Sequence, residues 1–289
     1  FIPGIALSKQ NPHAFIQVIN GLTGKTHYIE YPLSAFSSGR KEFWVKVGAS
    51  VFTRESVYVD IDSDGLKITG RLLYSGNVKY PSTWYSPGIM GWYSFVPFME
   101  CKHAVVSVSH SIDGMLDING TSIDFSGGKG YIEKDWGKSF PESWIWLQSN
   151  HFSHPDACIM LSIARIPWLG SFFAGFLGFL YYDGTFYPFS TYLNSKITRL
   201  QRDEQKLFIE VRGKDHTLQV SAAISQSGLL RAPKSGEMSR HIKESIDSEL
   251  EVSLTSRKGA LVYKDHAARA GLEVIDSIFD IVKIKPGSR

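Results

Sequence analysis

Apolar and polar residues alternate along most of this chain in short runs of period two. Residues 15–19, 26–31, 43–52, 56–61 and 66–74 are rich in β-branched or aromatic side chains and are separated by turn formers. Such alternation puts one set of side chains on each face of a pleated strand. Asn20-Gly21, Asp64-Gly65, Asp113-Gly114, Asn119-Gly120 and Asp183-Gly184 punctuate the runs. These pairs are the strongest short hairpin signal, because both central residues tolerate positive φ. The pattern predicts an all-β, antiparallel chain with over about 40% of residues in strand, as a sandwich or barrel. Two barrel-like lobes fit the length better than one, with a division into residues 1–138 and 139–289 and a ligand pocket near their junction. One stretch departs from the pattern. Met238, Ile242, Ile246 and Leu250 recur at every fourth position, which predicts a short helix over 236–245 before strand patterning resumes at Leu250, Val252 and Leu254.

Composition narrows the function classes. A chain of 289 residues with 43% apolar side chains can bury roughly three quarters of its unfolded surface. The net charge of +3 is spread thinly, so no basic footprint for nucleic acid emerges, and Lys283, Lys285 and Arg289 make only a weakly basic tail. Cys101 and Cys158 are the only cysteines; two in a chain of this size read as buried free thiols, and they favour a reducing, cytoplasmic compartment. The sequence opens at Phe1 inside an apolar run, without a methionine, so upstream residues are expected. The longest apolar run, residues 168–182, is too short and too glycine-rich to span a bilayer. It reads as a loop followed by a buried strand, and Leu169, Phe172 and Phe173 at its start suit peripheral membrane contact.

The chemistry concentrates in residues 127–152. Tyr131, Glu133 and Asp135 alternate with Ile132, Lys134 and Trp136, so the two acids share a strand face and Lys134 points away. Residues 137–143 read as the connection. Trp144, Trp146, Gln148 and Asn150 then share a face of the next strand. Carboxyl groups crowded by indoles hold a proton more readily, and an indole face attracts a cation. Asp135 is the first candidate acid and Glu133 the second. Trp92, Trp136, Trp144, Trp146, Asn150, Glu100 and His110 are candidate ligand-binding residues. Residues 80–101, with Trp84, Trp92 and several prolines, read as a segment folded over the pocket or as an aromatic plug.

Weaker signals fall away. The run from Gly21 to Thr26 ends like a phosphate loop but has Ile19 where the first glycine belongs and no helix after it, so it reads as a hairpin turn. His151, His154 and Asp156 lack a third ligand cluster, and no metal is expected. A Gly-x-Ser-x-Gly elbow is absent from the sequence.

The central motif has a family likeness. Tyr131-Ile132-Glu133-Lys134-Asp135-Trp136-Gly137, then Ser139-Phe140-Pro141 and Trp144 to Asn150, resembles the tocopherol cyclase family. The likeness continues through Tyr181 to Gly184 and Leu230 to Pro233 and covers about two thirds of the chain, from near Trp92 to Ile275. It implies a lipocalin-like architecture related to carotenoid 1,2-hydratases and acid chemistry on a prenyl chain without a cofactor. In that chemistry an alkene is protonated, and a phenolic oxygen or water traps the tertiary cation. Plant members carry asparagine at the position of Asp135, so an acid shared across the family would be Glu133. A second reading keeps the fold for a non-catalytic carrier of an isoprenoid ligand.

Overall fold

A computed structural model of the chain describes residues 1–63, 65–97, 99–168, 170–225 and 227–282. Asp64, Leu169 and the tail residues Lys283, Lys285 and Arg289 lie outside the described residues. Strand accounts for 66% of the chain, well beyond the expected share, and every strand pairing described is antiparallel. Among the described residues the only helical elements are short 3-10 turns, of which Gly88–Phe95 is the longest.

The chain forms two compact units made of interleaved segments. Unit 1 comprises Phe1–Pro81, Cys101–Phe140 and Leu229–Ile242; unit 2 comprises Ser82–Glu100, Pro141–Gly228 and Lys243–Arg289. One crossing, at Phe140/Pro141, lies close to the expected boundary at 138/139. A single cut there leaves out the two excursions, Ser82–Glu100 and Leu229–Ile242.

Unit 1 is built from a three-stranded sheet, Ile2–Ala6, His13–Ile19 and Thr26–Pro32, and an eight-stranded sheet. Its core follows the period-two pattern: Val57, Val59 and Ile61 are buried, whereas Tyr58 and Asp62 on the other face are exposed. Ile16, Ile29, Val47, Ile68 and Leu116 pack with them. Residues 43–52 form two strands rather than one, Trp44–Val47 and Ser50–Thr53. The chain turns between them at Gly48, where φ is +60° and an added Cβ would fall 2.8 Å from the Tyr31 ring. The segment Leu229–Ile242 is held to unit 1 by Gln17, whose side chain both donates to the Arg231 carbonyl at 2.9 Å and accepts its N–H at 2.8 Å. The Arg231 guanidinium reaches Glu30 at 3.0 Å and lies over the Tyr28 ring.

Unit 2 carries a larger sheet whose core joins Leu207, Ile209, Val211, Leu218, Val220, Leu250, Val252 and Leu254, again at every second position. The helix expected over 236–245 is instead part of the strand Glu237–Ser256. A spacing of four is also an even number, so the same residues share one face of a strand. Without a polar stripe at 3.6-residue period, the β pairing prevails. Residues 168–182 are the end of the strand Cys158–Trp168, a turn, and the strand Ser171–Tyr182, which form one hairpin.

Candidate functional site

The site lies on two neighbouring antiparallel strands of unit 1, Cys101–Ile118 and Gly128–Gly137. Asp135 is directly opposite His103, and Glu133 is opposite Val105. The pleat therefore puts His103, Glu133 and Asp135 on one face. The Nδ1 of His103 is 2.8 Å from Asp135 Oδ1, and its Nε2 is 3.4 Å from Glu133 Oε2. Tyr131, also on this face, donates its hydroxyl to Glu133 Oε2 at 2.6 Å. The Cys101 thiol reaches Asp135 Oδ1 at 3.8 Å. His103 and Glu133 are largely sheltered, with side chains 13% and 21% exposed, while Asp135 is an exposed residue whose side chain is 29% exposed. That is enough shelter to strengthen their mutual attraction, with an opening left for a reactant.

Burial works against a charge on His103, but the carboxylates of Asp135 and Glu133 and the Asp135 hydrogen bond outweigh it. The imidazole is pushed up to about 9. At neutral pH the cluster thus carries its proton on the ring, between two carboxylates. Asp135, the first candidate acid, is the hydrogen-bond partner of His103 Nδ1. The ligand atoms of the three residues lie within 4.8 Å of one another, so a divalent cation could draw on them. The 2.8 Å Nδ1–Oδ1 separation is also that of a hydrogen bond.

His110 is part of the same sheet but plays a different part. It is buried, its Nδ1 shares a 2.9 Å hydrogen bond with the Ser107 hydroxyl, and its ring lies 4.3 Å from that of Tyr74. Burial depresses it to about 4, so it is neutral. Trp136, by alternation, faces away from Asp135; it is 48% exposed, and the Lys134 ammonium sits 5.0 Å from its ring centre. A cation forming beside Asp135 would not meet that indole.

The remaining candidates belong to unit 2. Trp144 is buried and its indole N–H donates to Glu273 Oε2 at 2.5 Å. Trp146 packs on Gly271, where a Cβ would fall 2.7 Å from the ring. Asn150 is buried just after their strand. Trp92 lies in the 3-10 segment Gly88–Phe95, half exposed, edge-on to Tyr93. Glu100 is exposed at the end of that excursion. The excursion is anchored within unit 2, where Tyr192 donates its hydroxyl to the Ile89 carbonyl at 2.8 Å. Two surface hollows of unit 2, of about 270 and 530 Å³, are lined by neither Trp92 nor Trp144 nor Trp146. The larger lies beside His154, Tyr182 and Tyr263. His154 uses its backbone N–H on Asp265.

His103 is the residue that sequence reasoning missed. Its signal was faint: a histidine two positions after Cys101, in a strand next to the acidic one. Only the register reveals that it meets Asp135.

Residues 74–275 match the family model described as "Tocopherol cyclase-like". The chain is 29% identical over 150 residues to a probable chloroplastic tocopherol cyclase of Oryza sativa subsp. japonica, a match covering 50% of this chain and 31% of the relative. A chloroplastic tocopherol cyclase of Zea mays matches at 28% identity with the same coverage. The matched region is thus about a third of the length of these curated relatives. Among solved structures, kievitone hydratase from Nectria haematococca superposes with a TM-score of 0.50 at 11% identity, covering 96% of this chain and 88% of that one. That likeness is one of fold and agrees with the antiparallel, lipocalin-like class read from the sequence. The family match covers well over half of the residues, and the chain belongs to the tocopherol cyclase-like family.

Proposed function

We propose that this chain is a cyclase or hydratase that delivers a proton from the His103–Glu133–Asp135 cluster to an alkene of a prenylated quinol or related isoprenoid lipid. The observation that carries the reading is a sheltered imidazole held between two carboxylates, 2.8 and 3.4 Å away, in a member of this family. Asp135 accepts from Nδ1 and so orients the ring. Its role is that of a positioning carboxylate. Glu133 is the better delivering acid. It faces the other ring nitrogen at 3.4 Å, a gap that closes for the Nε2 proton to pass, and Tyr131 donates to its Oε2.

The steps balance without a redox partner. The ring passes its Nε2 proton to Glu133 as a lipid chain displaces water from the face. Glu133 then gives that proton to the less substituted alkene carbon; a C–H bond forms, the π bond breaks and a tertiary cation develops. The two carboxylates left behind stabilise the cation in a partly dry site. A phenolic oxygen closes the ring and its proton returns through Glu133 to His103 Nε2, a net isomerisation; water in its place gives the hydrated alcohol.

Incubating the full chain with a panel of prenylated quinols tests this. A product of unchanged mass or one water heavier, lost in Glu133→Gln, is the expected result. A folded protein that yields neither from any member of the panel would retire the enzymatic reading. A lipid substrate also suggests that the protein works at a bilayer surface, through the exposed Trp168 and Phe172 of unit 2.

A further inference from the structure

The cluster depends on an irregular pairing a few residues away. At one end of the pair, Gly128 is opposite Ile112, Lys129 opposite Ser111 and Gly130 opposite His110. The register then shifts between Gly130 and Ile132, and again between Ile132 and Glu133. Each shift adds one residue to the Cys101–Ile118 strand. Had the pairing of Gly130 with His110 run on unbroken, Asp135 would lie opposite Val105 and Glu133 opposite Ser107. His103 would then face Gly137. A single one-residue slip would flip side chains to the other face; two together keep the face and move the partner.

The bulged stretch is tied down. Ser107 is fully buried, and its hydroxyl contacts His110 Nδ1 at 2.9 Å and the Ser109 carbonyl at 3.3 Å. Val108 between them is also fully buried. The His110 ring lies across Gly130: a Cβ there would fall 2.0 Å from Nε2. Only glycine gives the ring that space. On the other side, the Leu66–Val78 strand is irregular at the same level, with a register shift between Ser75 and Val78.

We infer that Ser107, His110 and Gly130 are positioning residues that hold this double bulge, and that the double bulge is what sets His103 opposite Asp135. The inference rests on the proposed function only for its consequence in catalysis; the geometric claim stands apart from turnover. Glu133 and Asp135 face His103, and Tyr131 and Cys101 bond to those two carboxylates, so loss of the register should part the ring from both acids at once.

The test is NMR on the full chain with labelled histidine. In Gly130→Ala and in Ser107→Ala, the His103 titration should move from about 9 towards its ordinary 6.5, and the cross-strand contact between His103 and Asp135 should vanish. The indole N–H signals of Trp144 and Trp146 in unit 2 should stay in place. Ser107→Thr, which keeps the hydroxyl, should restore the parent titration. Should Gly130→Ala fail to fold, Ser107→Ala decides alone. Folded variants that keep the His103 titration and the cross-strand contact would overturn the inference. A parent protein with no turnover but with this titration pattern would sink the proposed function and leave the register lock standing.

Discussion

Asp135 Oδ1 and His103 Nδ1 stand 2.8 Å apart across one antiparallel pair, and the imidazole is held to about 9 against an ordinary 6.5. A raised histidine adds stability that is complete below the unfolded value and is lost as pH climbs through the folded one. Unit 1 should therefore weaken between pH 6.5 and 9, by on the order of 2 kcal/mol once solvent screening is allowed for. Denaturant unfolding across that range checks it. Asp135→Asn should flatten the slope, and an unchanged slope in that variant would place the titration elsewhere.

His110 predicts the opposite limb. Its folded value of about 4 lies below the ordinary 6.5. Stability from such a group is present above the unfolded value and is lost as pH falls through the folded one. Acidification from 6.5 to 4 should therefore cost unit 1 a similar amount, because a proton on His110 would be buried against Tyr74 and Gly130. His110→Gln should remove that acid limb without touching the alkaline one.

Turnover should separate the two acids. With a prenylated quinol that the parent converts, Glu133→Gln should lose at least about a hundredfold in rate, the lower end of what a general acid contributes. Asp135→Asn keeps an acceptor for the ring and should lose about tenfold, near 1.4 kcal/mol. The reverse order would make Asp135 the delivering acid and Glu133 its support.

Membrane contact has a separate readout. Trp168 and Phe172 are each 45% exposed, and Phe172 is covered on one side by Arg165. Exposed aromatic side chains favour the interfacial zone of a bilayer. Vesicle co-sedimentation of a Phe172→Ser, Phe173→Ser double variant should fall at least about threefold, or roughly 0.7 kcal/mol. Equal binding by parent and variant would remove the hairpin from any lipid contact. Leu169 lies outside the described residues.

Much of the fold was legible because it is written in period two. Asp183-Gly184 sits at the turn between Ser171–Tyr182 and Thr185–Ser190, where Asp183 takes positive φ as the dipeptide implies. The common face of Glu133 and Asp135 also followed from alternation. What stayed hidden depends on which strands pair, and in which register. His103 acquires its meaning only from a partner some thirty residues along the chain, and the bulges between His110 and Ser107 and between Ser107 and Val105 leave no periodic mark. The false helix over 236–245 has the same root. A four-residue spacing satisfies a strand as well as a helix, and only pairing decides. Trp144 and Trp146 were legible as one strand face, but their partners, Glu273 for the first indole N–H and Gly271 under the second ring, come from a strand far along the chain.

The interleaving of the two units bears on how the protein is made. Unit 1 takes its last segment from Leu229–Ile242, which Gln17 grips through the backbone of Arg231. On the ribosome, Gln17 must wait while most of unit 2 emerges before the segment it bonds arrives. Unit 1 has all its segments only at Ile242, and unit 2 only with the segment that follows; a fragment ended at residue 138 would lack the strand that Gln17 holds. Completion is then late for each unit, first unit 1 and then unit 2. A premature stop anywhere before Ile242 should yield an incomplete chain for proteolysis rather than a usable half.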